Sequence, residues 1–226
     1  MRSIQRIGFL AAGLAVGLVG AGHVAAGGQF SAATVNFEQN ATDGDVEVVF
    51  TADSGGEGLA RLSVTAPDGR PVVNFTGPPP PTLGLRQFRF ESPEPEDDGS
   101  LRAAFPEGTY IFRGTTVGGK ELESGAVLSH ALPGVATLVH PEEDAEVSAE
   151  GLRIEWKSVP GVSVYVLEIE SDETDATLAV SLPAPATSFA VPDGFLVPGL
   201  EYQLGIGTLT EDGNASFVEI SFGTAE

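Results

Sequence analysis

Past its first two dozen residues, this chain places apolar residues at every second position rather than at helical spacing. Val46, Val48 and Phe50 fall on one side of a run over 46–51, and Leu62 and Val64 do the same over 59–65. Leu152, Ile154 and Trp156 alternate, as do Tyr165, Leu167 and Ile169, and then Tyr202, Leu204 and Ile206. Successive side chains of a strand point to opposite faces, so this period gives each run one buried face and one face toward water. Gly, Pro, Asp or Asn separates the runs at intervals of about ten residues, the pattern of an all-β sandwich. No convincing amphipathic helix interrupts it.

In the first half the pattern predicts strands over 34–37, 46–51, 59–65, 72–75, 85–91, 109–117 and 120–128. The run over 85–91 alternates imperfectly, which leaves room for a bulge. Pro67-Asp68-Gly69-Arg70 reads as a tight turn. Gly118-Gly119 offers the positive φ angles of a two-residue hairpin loop. The four prolines over 78–81 form a stiff extended connector, and 92–100 is an acidic, Pro-rich loop. In the second half the predicted strands are 137–141, 152–156, 165–169, 177–182, 188–191, 202–206 and 217–222. Between the halves, Pro133 blocks a bridging helix and Gly134 lets the chain bend. A joint this short predicts a semi-rigid rod. The expected organisation is therefore two tandem β-sandwiches, over 27–132 and 133–226, behind a targeting segment over 1–26.

That segment has a basic start at Arg2 and Arg6, an uncharged apolar run over 7–22, and small residues at Val24 and Ala26. These are the parts of a secretory signal peptide with its cleavage site. The run is short for a membrane-spanning helix, and no other segment is long and apolar enough to be one. The expected location is the periplasm, the cell surface or the medium, with no membrane insertion after cleavage. The chain carries 11 Lys and Arg against 32 Asp and Glu. Losing Arg2 and Arg6 would leave nine basic residues and a net charge near −23. Such a field repels nucleic acid and anionic membranes. There is no Cys, which excludes disulfides, thiolate metal sites and a cysteine nucleophile. Each half has about 100 residues, enough to bury a core without such staples.

The Trp156 strand, the Tyr165-x-Leu167-x-Ile169 strand and the Leu196-x-Pro198-Gly199-x-x-Tyr202 run together resemble a fibronectin type III domain, over about 134–224. The resemblance implies that Trp156 fills the core between the sheets. It implies that Tyr202 makes a corner, with its hydroxyl bonded to backbone upstream. It gives structural roles to Tyr165, Pro198 and Gly199 as well. No Arg-Gly-Asp stands in the Asp212 turn, so integrin-type recognition has no support. The first half more loosely resembles bacterial Ig-like domains, through Leu62-x-Val64-x-x-Pro67-Asp68-Gly69-Arg70 and Phe105-Pro106-x-Gly108-x-Tyr110-x-Phe112-x-Gly114. The pairing is similar to exported bacterial proteins; it implies a fold and a compartment, and no activity.

The residues that could carry chemistry are few. His130 and His140 flank the joint and read as solvated linker residues, with a metal shared with Glu142, Glu143 or Asp144 as the sharper alternative. There is no His-Glu-x-x-His motif and no Gly-x-Ser-x-Gly elbow. Paired carboxylates abound, but the single Trp and the three Tyr are accounted for by core or corner roles, which leaves no aromatic platform for sugar. Calcium is the cofactor the sequence suits best. Asp43, Asp45 and Glu47 alternate behind Asn40 and Thr42, with Gly44 to tighten the turn, and hard oxygen ligands on a loop are what Ca²⁺ prefers. The competing reading is turn chemistry, with Glu47 a solvated strand residue. Asp172-Glu173-x-Asp175 is a second such cluster. The expected function is a non-catalytic protein-interaction or spacer module with another protein as partner. The alternatives are a surface adhesion or carbohydrate-binding module supported by calcium, and then a hydrolase on a sandwich. The 92–100 loop and the Asp212–Asn214 turn are the first places to look for contact.

Overall fold

A computed structural model describes residues 28–77, 85–93, 95 and 97–226. The targeting segment over 1–26 and the four prolines over 78–81 lie outside the described residues. Among those described, the first half forms β1 (Ala32–Asn40), β2 (Asp45–Asp53), β3 (Leu59–Thr65), β4 (Pro71–Thr76), β5 (Gln87–Glu91), a short helix α1 (Asp98–Ala104), β6 (Gly108–Thr116) and β7 (Glu121–Leu128). The second half forms β8 (Thr137–His140), β9 (Ala145–Val147), β10 (Arg153–Lys157), β11 (Val164–Glu170), β12 (Thr177–Pro183), β13 (Ser188–Ala190), β14 (Glu201–Leu209) and β15 (Ala215–Thr224). The protein is all-β and built as tandem β-sandwiches. No helix among the described residues is long and apolar enough to cross a membrane.

The alternation of the sequence appears directly as burial. Val46, Val48 and Phe50 face the first core from β2, and Leu62 and Val64 face it from β3. Phe50 stacks on Phe90 at 4.8 Å and meets Tyr110 edge-on at 5.5 Å. In the second core Trp156 packs against Tyr165 at 5.5 Å, with Leu167, Ile169, Leu204 and Ile206 around them. Turn chemistry sets the hairpins. The Asp68 carboxylate accepts the Arg70 N–H at 2.9 Å between β3 and β4. Gly119 takes φ +87° between β6 and β7, a conformation other residues adopt only with strain.

The acidic stretch over 92–100 departs from the expected loop. Its end starts α1, where the Asp97 side chain caps the helix by accepting the Ser100 N–H at 2.9 Å. Leu101 is the buried residue of this helix, and Arg102 lies over the Phe37 ring at 4.7 Å. A seven-residue helix with one buried apolar side chain has too little periodicity to read from sequence.

The two halves share one strand order. The first has a sheet β4-β3-β6-β7 facing β1-β2-β5, and the second has β12-β11-β14-β15 facing β13-β10-β8, with β9 added beside β15. Counted within each half with the short β9 left out, strands four, three, six and seven make one sheet, and one, two and five the other. The halves are also joined edge to edge. β1 pairs in parallel with β15, with Glu38 opposite Ala215 and Asn40 opposite Phe217. This continues the four-stranded sheet of the second half into the three-stranded sheet of the first, in the order β12-β11-β14-β15-β1-β2-β5.

The joint lies against this seam. Asn214 is 1 % exposed. Its Oδ1 accepts the Phe37 N–H at 2.8 Å, and its Nδ2 donates to the carbonyls of Ser129 at 3.0 Å and Ala131 at 3.1 Å. Ser216 donates to the Pro133 carbonyl and Thr208 to that of Gly134, each at 2.8 Å. Four successive polar points of the connection are thus held by β14, β15 and the turn between them. The halves are thus connected by a lateral seam as well as by the short joint. The Asp212–Asn214 turn, expected to be a free contact loop, has its last residue buried there.

Candidate functional site

Gly44, with φ +81°, closes the β1–β2 hairpin. The Asp43 carboxylate accepts the Asp45 N–H at 3.0 Å, and the Asn40 side chain accepts the Thr42 N–H at 3.0 Å. Asp43 therefore serves the turn. Asp45 and Glu47 stand on β2 opposite Asn40 and Glu38. Among the described residues, no group of three or more His, Asp or Glu is gathered so as to hold a metal ion. Asp172, Glu173 and Asp175 surround a similar turn, in which the Glu173 N–H donates to Ser171 Oγ at 3.3 Å. His130, expected to be solvated, is tied down. Its Nε2 lies 2.7 Å from the Phe105 carbonyl oxygen, its N–H donates to Glu107 at 2.7 Å, and its ring tilts against Phe37 at 5.2 Å. His140 is exposed.

The aromatic residues hold structural places. The Tyr202 hydroxyl accepts the Val197 N–H at 2.8 Å, just before the Pro198-Gly199 turn, and Gly199 takes φ +77° there. The Tyr165 hydroxyl accepts the Val159 N–H at 2.7 Å. Tyr110 occupies the matching place on β6 and donates to the Pro106 carbonyl at 3.1 Å. Each half thus has a tyrosine corner on its sixth strand. Trp156 is 3 % exposed, and its Nε1 finds no partner.

The unusual electrostatics lie on the outer face of the joined sheet. Leu167 and Ile169 turn inward from β11, so Glu168 and Glu170 turn outward. Leu204 and Ile206 of β14 and Val218 and Ile220 of β15 pack on the core, so Gly205 and Glu219 turn outward too. Register aligns Glu168 with Gly205 and Gly205 with Glu219. Across the seam the same face continues with Asn40 and Glu38 on β1, Asp45 and Glu47 on β2, and Arg89 and Glu91 on β5. Arg89 pairs with Glu91 and lies 3.6 Å from Glu38.

Several of these carboxyl groups hold protons more tightly than usual. Burial pushes Glu38 up to about 7, against the lowering pull of Arg89. Glu168 is raised by burial and then by the charges of Glu170 and Glu219. Burial and Asp172 raise Glu170. Glu219 is raised chiefly by burial and also by Asp43 and Glu170, while a hydrogen bond with Asn40 opposes the shift. Desolvation disfavours the charged carboxylate, and like charges add to the effect. The outward alternation of Glu168 and Glu170 is visible in the sequence. Their burial is not, because it depends on the pairing of β11 with β12 and β14, strands distant in sequence.

No known family model matches the chain. Solved structures similar to it include the fibronectin(III)-like modules of CbhA from Clostridium thermocellum, at 13 % identity over 87 % of this chain and 94 % of that one, with a TM-score of 0.34. The FN1–FN3 domains of chicken CNTN1 match at 14 % identity over 85 % of this chain and 64 % of that one, TM-score 0.32. A two-domain fibronectin type III segment of chicken tenascin matches at 14 % over 84 % and 95 %, TM-score 0.30. The chain resembles fibronectin type III modules. At these scores the fold description rests on the chain's own strand order and its two tyrosine corners.

Proposed function

We propose that this chain is an exported, non-catalytic interaction or spacer module that holds two β-sandwiches at a fixed mutual geometry. The observation that carries the reading is the seam. Parallel pairing of β1 with β15, and the buried Asn214 that bonds to Phe37, Ser129 and Ala131, make one continuous sheet out of two sandwiches. Inter-domain contacts within a chain normally leave domains free to move. A seam of backbone pairs and satisfied buried polar groups removes that freedom, as a spacer or a two-domain recognition surface requires. The ring hydroxyls of Tyr110, Tyr165 and Tyr202 are all occupied by backbone partners, which supports the same reading over a sugar-binding platform.

The test is in-cell crosslinking of a tagged copy carrying photoreactive residues on the outer face of the joined sheet, with the N-terminus of the exported protein sequenced in parallel. The expected result is a processed N-terminus and one reproducible protein adduct. Retention on cell-wall or sugar material without a protein adduct would overturn the interaction reading in favour of adhesion.

A further inference from the structure

β12 ends the long sheet. It pairs with β11 alone, and among the described residues no strand lies on its other side. In a regular antiparallel pair, alternate residues turn their N–H and C=O away from the neighbour. An end strand therefore offers a row of unpaired backbone groups to any strand that reaches it.

The other strand edges among the described residues are guarded. Gly28 covers part of β7 by donating to the Glu121 carbonyl and accepting the Glu123 N–H. β5 carries Arg89 and Glu91. β4 starts with Pro71, and its register with β3 shifts between Val64 and Thr65. β8 has four residues and β13 three. The outer side of β15 is closed by β1, by β9 and by Thr42, whose hydroxyl accepts the Glu219 N–H at 2.8 Å. Proline, charge, bulges, shortness and cover all keep edges from pairing. β12 differs. Its seven residues, Thr177–Pro183, run in unbroken register with β11 and carry no charge, and its one proline is its last residue.

The sequence of β12 also matches itself. Set antiparallel against a second copy, with Val180 on the two-fold axis, Leu178 faces Leu182, Ala179 faces Ser181 and Thr177 faces Pro183. Leu178, Val180 and Leu182 are half-buried against the second core, and this register sets them against one another. Ala179 and Ser181 are small and exposed. No like charges fall opposite each other, which would destabilise a cross-strand pair. The ends fit as well. Asp172, Glu173 and Asp175 precede β12, whereas Ala184-Pro185-Ala186 follows it. Antiparallel pairing carries each acidic end to the uncharged end of the other copy. Parallel pairing would bring the acidic ends together.

We propose that β12 pairs antiparallel with β12 of a second copy about a two-fold axis, making one continuous sheet across two chains. This goes beyond the interaction-module reading and needs no further protein partner. The contact is isologous and closes on itself, so assembly stops at two copies. Pairing along one strand buries less than a standard interface, so association is weak. The formal net charge of −21 opposes it, and salt screens that repulsion. The pair therefore tightens as salt rises, whereas a basic partner strand would be loosened.

The test is sedimentation of the full chain between about 1 µM and about 1 mM, at low salt and at high salt. We expect a monomer–dimer equilibrium that strengthens with salt. A179K/S181K puts like charges opposite each other in both 179–181 pairs across the axis, and should weaken association about tenfold. A179K/S181E puts opposite charges there, and should restore association to within about threefold of the unaltered chain. Both positions are exposed, and melting curves check that each variant folds. A single spin label on Thr177→Cys should report about 20 Å between copies, the span from 177 to 183 at about 3.4 Å per residue. Diluting a doubly labelled chain with unlabelled chain leaves only the distances within one copy. A monomer throughout, a label distance far from this span, or equal effects of A179K/S181K and A179K/S181E overturns the pairing. A monomeric chain that still yields a protein adduct in cells loses the pairing and keeps the module.

Discussion

The two sandwiches reach one strand order by different chemistry. The first core is rich in phenylalanine, with Phe37, Phe50 and Phe112 fully buried beside Tyr110. The second is built on Trp156, Tyr165 and Tyr202 among Leu and Ile side chains. Their corners have opposite polarity. Tyr110 donates to the carbonyl of Pro106, whereas Tyr202 accepts from the N–H of Val197. The shared order therefore does not require a shared core or a shared corner bond. It requires alternation, turns in the right places, and one aromatic anchor on the sixth strand. The halves also meet through different strands. The first half offers its first strand as an edge, and the second offers its seventh.

The largest expected effect breaks the link between the halves. Asn214→Ala removes one acceptor and two donated bonds from a fully buried place, and leaves the Phe37 N–H and two carbonyls without them. At about 1 kcal/mol for each bond, the loss is about 3 kcal/mol. Calorimetry should show a single melting transition split into two. One undivided transition, lowered by less than about 1 kcal/mol, would show that the halves are not coupled through this residue.

The next effect belongs to the first half. Glu38 holds its proton up to about 7 when folded, above its ordinary value of 4.5. The folded state therefore binds more protons than the unfolded chain between those values. Its stability is highest below that window and is lost as pH rises through 7. The penalty is at most about 3 kcal/mol at pH 8. Denaturant melts should show greater stability at pH 5.5 than at pH 8, and Glu38→Gln should reduce the difference. A pH dependence unchanged in that variant would place its origin elsewhere among the acids.

The corners give the smallest contrast. Tyr202→Phe strands a backbone N–H, and Tyr110→Phe strands only a carbonyl. Orphaned N–H groups are the rarer and less tolerated of the two. Tyr202→Phe should cost about 1–2 kcal/mol, and Tyr110→Phe less than about 1. The reverse ranking in urea melts would mean that corner polarity does not matter.

Legibility in the sequence follows the same division. The second sandwich could be read because Trp156 and Pro198-Gly199-x-x-Tyr202 are local signals. Alternation located the strands of the first sandwich, but not that it repeats the order of the second, since strand order depends on pairing between distant runs. The seam was illegible for that reason: the Phe37–Asn214 bond joins residues 177 positions apart. Asp212-Gly213-Asn214 looks like ordinary exposed turn chemistry until Phe37 is set beside it. Asp43 shows the converse case. Its spacing with Asp45 and Glu47 suggests calcium, and its carboxylate also accepts the turn's own Asp45 N–H, a bond that spacing alone does not reveal. Alternation with Leu167 and Ile169 places Glu168 outward, but an outward residue on a strand flanked by two others need not be solvated.

The central claim, that the seam makes one rigid body of two sandwiches, is tested most directly by pulsed electron resonance between spin labels in the two halves. The chain has no cysteine, so Asn74→Cys on β4 and Thr177→Cys on β12, both exposed, would carry the labels alone. The account predicts one narrow distance distribution, unchanged by salt and broadened by Asn214→Ala. A broad or multiple distribution in the otherwise unaltered chain would contradict it.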